Sequence, residues 1–391
     1  MSTLNLYTRL LIFYKTLQSI DNYFAHRESI KNFNLEKLYK RYIKRVTETK
    51  DRYLFGLVMM EFISELKNGH SWYFDPWLYK IYGNSLRFHV FYHDYERKWI
   101  IDSSSRENVK IGRAIQNVNG TTAEKFFKGK TIYINASSER EARNKLFLTP
   151  FLLTGTKIGL DSGEVIRVKR FLDKPDLKPL LKIIDDKIVY IKIPSFSSGI
   201  YAKTAFKYIK KHIRYKNIII DIRNNDGGAT PLWLLKLLMN KKYRRFNYCI
   251  IKPKTSLSIM YGRNKKKTYG IVNYPSEYKD PYKNAYNGNL AILVNEGTVS
   301  AAEDFLFSFK DNKRATIFGT KTAGTDGDPY ICTFPNGISI AIGSVLVKFP
   351  DGSRFEGRGI KPDIEVCPSI EDIKMNKDVI LQKAIYYLNS R

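Results

Sequence analysis

The sequence predicts a mixed α/β protein: a mostly parallel sheet core with layered helices, preceded by an N-terminal helical region and a small β-rich domain. Two patterns carry this prediction. From residue 181 onward, short apolar runs alternate with helical periodicities, as parallel strands covered on both faces require. Before residue 70, apolar residues recur at three- and four-residue spacing, whereas residues 71–175 are dominated by short alternating runs. The expected division is therefore 1–70, 71–175 and 181–391.

The elements follow in order. "MSTLNLYTRLLIFYKTLQSI" reads as an amphipathic helix, and "LEKLYKRYIKRVTE" and "YLFGLVMMEFISELKN" carry apolar stripes at helical spacing. Gly69 is placed to stop the last of these in a left-handed cap. In the second region "SLRFHVFYHDYERKWIID" and "EVIRVKRF" read as strands. "IGRAIQNVNGTTAEKFF" reads as a strand, a turn at Asn119-Gly120 and a helix opened by Thr121 or Thr122. "EREARNKLFLTPFLL" reads as a helix, and "DKPDLKPL" as a proline-punctuated linker. In the third region "KIVYIKI", "NIIIDI", "LAILVN" and "ATIFGT" are apolar strands, with "YAKTAFKYIKKHI", "PLWLLKLLMN" and a segment after Ser300 as helices. "YICTFPNGISIAIGSVLVKF" is a hairpin with Asn336-Gly337 as its tight turn, and "DVILQKAIYYLNS" a closing helix.

Charge widens the field only slightly. With 66 Lys and Arg against 38 Asp and Glu, the formal net charge is +28, which raises nucleic acid, anionic membrane or acidic substrates as partners. The lysines are spread along the chain, and the dense runs "NKKYRRF" and "GRNKKKTYG" read as loops, so solvated faces account for the charge and no specific nucleic-acid partner is expected. The three cysteines, Cys249, Cys332 and Cys367, are far apart and odd in number, which gives neither a disulfide framework nor a zinc spacing. No apolar run approaches the roughly 20 residues of a transmembrane helix. The absence of a clear signal peptide favours a cytoplasmic setting.

Two loops fall at the carboxyl ends of expected strands, where ligands of open α/β sheets gather. In "DIRNNDGGAT" the pair Gly227-Gly228 lets backbone N–H groups approach a ligand closely, while Thr230 caps the following helix with Pro231 at its first position. A plain strand-to-helix turn explains the same residues. In "VNEGTVSAAEDFLFSF" a strand hands over to a helix at Ser300, and Glu303 completes a capping box. The same position suits a nucleophile, because unpaired N–H groups and the positive end of the helix dipole lie beside it. A nucleophilic serine needs a base. Of five histidines, His26 and His212 lie in helical patterns and read as surface residues, and His89 and His93 lie in a strand-like stretch. His70 directly follows the expected helix end, whose negative pole would stabilise an imidazolium.

Four segments, "IVYIKIPSF", "NIIIDIRNNDGG", "NEGTVSAAEDFLFSFKDNKRATIFGTKTAG" and "DGSRFEGRGIKPDIEV", occur in that order. Together they resemble the core of the C-terminal-processing (tail-specific) serine peptidases, whose wider family includes the tricorn core protease. The resemblance spans about residues 185 to 366 plus "LKNGHSWY" upstream. It implies that Ser300 is the nucleophile, that the Ala301 N–H is one oxyanion donor, and that Gly227 or Gly228 supplies the other. The processing branch uses a lysine base, but Thr325 stands at that position here and Lys321 is out of register. The tricorn-like branch uses a histidine supported by a serine and a glutamate, which match His70 and Glu356. The family's serine precedes the histidine, where this chain has Gly69, and Ser71, a water or a direct contact is left to bridge His70 and Glu356.

The resulting expectation is a serine peptidase acting on peptide or protein substrates, with no metal or organic cofactor. Two rivals stand beside it: a non-catalytic binder on the same core, as in retinoid-binding relatives of the family, and a basic nucleic-acid or anionic-surface binder.

Overall fold

The computed structural model describes residues 3–173, 178–253 and 269–391. Most of the "GRNKKKTYG" run and half of the "DKPDLKPL" linker lie outside the described residues. The α/β class is as expected, and strand pairing refines it. One six-stranded sheet runs in the spatial order Ile364–Glu365, Thr316–Gly319, Asn289–Val294, Asn217–Asp221, Ile188–Lys192, Leu180–Ile184. The first five of these strands pair in parallel, and Leu180–Ile184 closes the sheet antiparallel. Every pairing in the other four sheets is antiparallel. Among the described strands, then, antiparallel pairings prevail, and the parallel strand pairings are confined to this sheet.

The six-stranded sheet is apolar along its inner strands because both faces are covered. Val189, Ile191, Ile218, Ile220 and Ile292 face one cluster, which takes in Ala202, Leu234 and Phe305 from three helices. Their sequence neighbours Tyr190, Ile219, Ala291 and Leu293 face the other, under the Val379–Asn389 helix through Ile380, Ala384 and Leu388. The period-2 alternation of a strand thus sorts one apolar run onto two covered faces.

The first helices, Leu6–Tyr23, Leu35–Glu48 and Arg52–Ser64, share a core with Ile338, Ile340 and Ile342 of the distant hairpin Pro329–Thr333/Ser339–Gly343. The strand Trp72–Phe74 extends that contact, pairing antiparallel with the hairpin in the register Trp72↔Ala341. A separate cluster around Trp99, Phe127 and Phe147 fills the small β-rich region.

Several local expectations are corrected. The third helix ends at Ser64, and the residue that turns left-handed after it is Lys67, φ 45°, not Gly69. The 139–153 segment is helical only to Lys145 and continues as short 3₁₀ turns, because Pro150 cannot donate into an α-helix. Thr230 does not cap the Leu232–Leu238 helix; its hydroxyl donates to Asp304 Oδ2 at 2.7 Å. The hairpin turn spans three residues, Pro335 to Gly337, closed by Phe334 N–H donating to Ile338 O at 2.8 Å, with Gly337 at φ 81°. His26 is buried, with Nε2 3.1 Å from Val345 O, and is not a surface residue. Among the described residues no helix is long and apolar enough to cross a membrane.

Candidate active site

Ser300 stands where the Asn289–Val294 strand turns into the Ala301–Asp311 helix. Its backbone lies at φ 59°, ψ −126°, which costs a residue bearing a Cβ on the order of 1–3 kcal/mol. Neighbouring groups hold it there. Ser300 N–H donates to Thr325 O at 3.0 Å and approaches Glu303 Oε2 at 3.3 Å, and Val299 N–H donates to Asn225 O at 3.0 Å. The Ser300 side chain makes no cap hydrogen bond to the helix. Its Oγ is turned the other way, 2.9 Å from His70 Nε2.

His70 arrives from 230 positions earlier in the chain. It sits in the loop between the Arg52–Ser64 helix and the Trp72–Phe74 strand, and the pairing of that strand with the C-terminal hairpin carries the loop to Ser300. It lies six residues past Ser64, so the helix end does not act on it, an effect that fades within the last turn. Burial pushes the imidazole down to about 3, and the nearby Lys145 adds to the shift. The ring is therefore neutral at physiological pH, the form that accepts a proton.

The bridge from His70 toward Glu356 is neither Ser71 nor a direct contact. Thr325 Oγ1 lies 3.5 Å from His70 Nδ1, long for a hydrogen bond, and 3.0 Å from Glu356 Oε1. Glu356 is buried. Its Oε1 also accepts from Asn68 Nδ2 at 2.8 Å and from the Ser137 hydroxyl. Burial pushes its carboxyl up to about 7, while Ser137 and Thr325 pull the other way. Ser71 acts one step removed. Its Oγ donates to Asn68 Oδ1 at 2.9 Å and accepts from Gly343 N–H at 3.0 Å.

Gly69 takes on a meaning other than the expected cap. A Cβ there would collide with the Thr325 hydroxyl and Glu141, so a glycine at this position lets the His70 loop close on Thr325. Glu303 anchors that residue from the other side. Its two oxygens accept from Gly324 N–H at 2.8 Å, Thr325 N–H at 2.9 Å and the Thr322 hydroxyl, and full burial raises its carboxyl to about 8.

The glycine pair divides its duties. Gly227 N–H donates to Asn225 Oδ1 at 3.0 Å, and a Cβ on Gly227 would stand 2.7 Å from Ser300 Cβ. Gly228, at φ 127°, packs against Phe196. The N–H groups of Gly228 and Ala301 have no acceptor among the described residues, and both residues line one cleft with Ser300, Leu232, Ile250 and Val345. Lys321 lines a different cleft, with Asp94, Arg140 and Lys361. No group of His, Cys, Asp and Glu among the described residues is arranged to hold a metal ion.

The family model described as Peptidase family S41 matches residues 187–366. That match takes in the six-stranded sheet from Ile188–Lys192 onward and the loops that carry the candidate site. The matched residues include Gly227, Gly228, Ser300, Ala301, Thr325 and Glu356, and His70 reaches them from upstream. Curated relatives include a probable CtpA-like serine protease of Staphylococcus epidermidis, 31% identical over 188 residues, which are 48% of this chain and 35% of the relative. Another, from Staphylococcus aureus strain COL, is 28% identical over 264 residues, 67% of this chain and 48% of the relative. The chain thus spans about half the length or less of the curated relatives it matches. Among solved structures, mature CPAF complexed with lactacystin has a TM-score of 0.70 at 16% identity, covering 98% of this chain and 97% of its own. The photosystem II D1 C-terminal processing protease has a TM-score of 0.55 at 18% identity, covering 94% and 97%. The tricorn protease has 0.51 at 19% identity, covering 97% of this chain and 36% of its own. At these identities the likeness is one of fold, which this chain shares with them.

Residues missed by sequence reading include Asn68, Asn225 and Ser137. Asn68 and Asn225 lie inside "LKNGHSWY" and "DIRNNDGGAT", where their amides give no signal apart from the glycines and histidine beside them, and Ser137, in no motif, meets partners far along the chain. Thr325 was noticed for the lysine it lacks, and its hydroxyl was the available signal.

Proposed function

We propose that the chain is a serine peptidase in which Ser300 is the nucleophile, His70 the general base, and Glu356 the supporting carboxylate acting through Thr325. The observation that carries the reading is the 2.9 Å approach of Ser300 Oγ to His70 Nε2, made by a serine held in a strained conformation at a helix start. The assignment of His tautomer follows from the partners: Nδ1–H toward Thr325 leaves Nε2 free to accept the serine proton.

The chemistry then runs as acyl transfer. His70 Nε2 takes the Ser300 proton as Oγ attacks the peptide carbonyl carbon. The oxyanion is met by the N–H groups of Gly228 and Ala301, whose hydrogens are otherwise unused, while Gly227 keeps the loop against Ser300. His70 gives its proton to the leaving amine, and water hydrolyses the acyl-enzyme by the same path in reverse. The Glu356 anion stabilises the imidazolium through the Thr325 hydroxyl. The Leu232, Ile250 and Val345 side chains of the cleft suit an extended peptide or protein substrate. In this reading residues 1–70 and 71–175 are units serving a peptidase core at 181–391, built on the parallel part of the six-stranded sheet.

A fluorophosphonate probe tests it. The wild-type chain is expected to be labelled at Ser300 and to hydrolyse fluorescein-labelled casein. Ser300→Ala is expected to lose both while melting at an unchanged temperature. Full hydrolysis by Ser300→Ala would end the proposal.

A further inference from the structure

One hydroxyl outside the proposed triad touches every part of its support. Gly69 N–H donates to Ser137 Oγ at 2.8 Å, which fixes the peptide just before His70. The same Oγ lies 3.1 Å from Thr325 Oγ1 and donates to Glu356 Oε1. Ser137 belongs to a segment that grips the His70 loop from the other side as well. Asn135 Nδ2 donates to Gly69 O at 3.0 Å, and Lys145 Nζ approaches that oxygen at 3.4 Å. Ser137 N–H in turn donates to Glu141 Oε2 at 2.6 Å, and Glu141 pairs with Lys145 at 2.6 Å. The segment is tied to the small β-rich region, where Tyr92 N–H donates to Asn144 Oδ1 at 2.8 Å. Gly357, next to Glu356, closes the contact: a Cβ there would stand 2.8 Å from Ser137 O.

We propose that Ser137 is a positioning residue for the peptidase reaction, aligning the Glu356 carboxylate, Thr325 and the His70 loop with one another, so that the site is competent only while the 135–145 segment is docked. The inference rests on the serine-peptidase reading above. A structural role alone would require only that the hydroxyl satisfy Gly69 N–H. The contacts to Thr325 and Glu356 go further, because they bear on the charge that faces His70. Among the groups that lower the Glu356 carboxyl, Ser137 acts most strongly and Thr325 next, against burial and Glu141, which raise it. Asp326 and Arg354 also feel this carboxylate, one repelled and one attracted. Removing the Ser137 hydroxyl therefore moves Glu356 further up, and its anion is lost at a higher pH.

The test is the pH dependence of the labelling rate of the full chain with a rhodamine fluorophosphonate, which needs no knowledge of the natural substrate. Ser137→Ala is expected to slow labelling near neutral pH by about 10- to 100-fold, the scale of a misaligned reacting pair, and to move the acidic limb to higher pH. Ser137→Thr, which keeps the hydroxyl, is expected to restore the wild-type limb. Should the alanine variant not fold, Ser137→Cys, nearly the same size with a weak donor, is expected to show the same upward movement. A variant that folds and labels with the wild-type rate and limb overturns the inference. Wild-type chain that is not labelled at Ser300 overturns the peptidase reading instead, so the two failures are distinct.

Discussion

In the proposed site Thr325 stands between the Glu356 carboxylate and His70. Its hydroxyl has one proton, given to Glu356, and a lone pair left for His70 Nδ1–H. Its backbone is clamped at both ends, N–H to Glu303 and C=O to Ser300 N–H, so the hydroxyl cannot drift. Thr325→Val keeps the shape and removes the bridge, and the fluorophosphonate labelling rate is expected to fall by about 10- to 100-fold. Thr325→Ser is expected to retain most of it, and Lys321→Ala to leave it unchanged; a larger loss in Lys321→Ala than in Thr325→Val would instead point to a lysine base. Glu356→Gln separates charge from shape in the same relay. Without the anion the imidazolium is less stable, so the acidic limb of the profile is expected at lower pH, opposite to the shift for Ser137→Ala. The rate should fall, but less than for Ser300→Ala. An unmoved profile in Glu356→Gln would remove that residue from the site.

At the scale of elements, three convergences build the cleft: a strand end, a helix start and a glycine loop. Each was legible because each has a local signature, an apolar run, a capping pattern or a Gly-Gly pair. Ser300 and Ala301 accordingly lie at the start of the Ala301–Asp311 helix, and Gly227-Gly228 in the loop after the Asn217–Asp221 strand. What was not legible depends on pairings between distant segments. Trp72–Phe74 is too short to read as a strand, yet its register with the hairpin carries His70 to Ser300. Gly69 looked like a helix cap because a glycine after an apolar stripe usually is one; its use is steric clearance for Thr325, which no periodicity encodes. Glu303 was legible as half of a capping box, but its reach to the Thr322–Thr325 loop was not. That reach yields a prediction. Glu303→Gln sets an NH₂ group against backbone N–H donors and strands at least one of them, at a cost of about 1–3 kcal/mol each. A melting temperature lowered by several degrees, with labelling of Ser300 slowed in the variant below its melt, is the expected outcome. An unchanged melt would show that the loop does not depend on this carboxylate.

Across the whole molecule, the charge of +28 is distributed, and many basic groups are taken up in ion pairs such as Arg45–Glu61, Arg143–Glu124 and Arg223–Asp378. Nucleic acid is accordingly expected to bind weakly, with a Kd of roughly 10⁻⁴ to 10⁻⁶ M at physiological salt and no sequence preference. A tight, selective complex in a filter-binding titration would contradict that. A sharper global prediction comes from groups buried around the site. Burial raises Glu303 to about 8, Glu356 to about 7 and Asp326 well above the carboxylate range. In the unfolded chain these acids ionise near 4 to 4.5. Between those values the native state holds more protons than the unfolded state, so each acid contributes stability that is lost as pH rises toward its folded value. Two buried histidines act in the opposite sense. His26, lowered to about 4, and His70, lowered to about 3, make the unfolded state the better proton binder up to about 6.5, so stability rises with pH through that range. Below about pH 6.5 the two histidines offset part of the effect of the three acids; above it the acids remain, and His89, lowered by burial but raised on balance by Asp102, acts in the same direction. The melting temperature is therefore expected to fall gently from about pH 5 to 6.5 and more steeply between about 6.5 and 8. Glu303→Gln should flatten the fall, since it removes the acid that titrates across most of that window. Calorimetric melts in a pH series check this directly, and a melting temperature that climbs from pH 6.5 to 8 would mean that these carboxyls are ionised in the native protein well below neutrality.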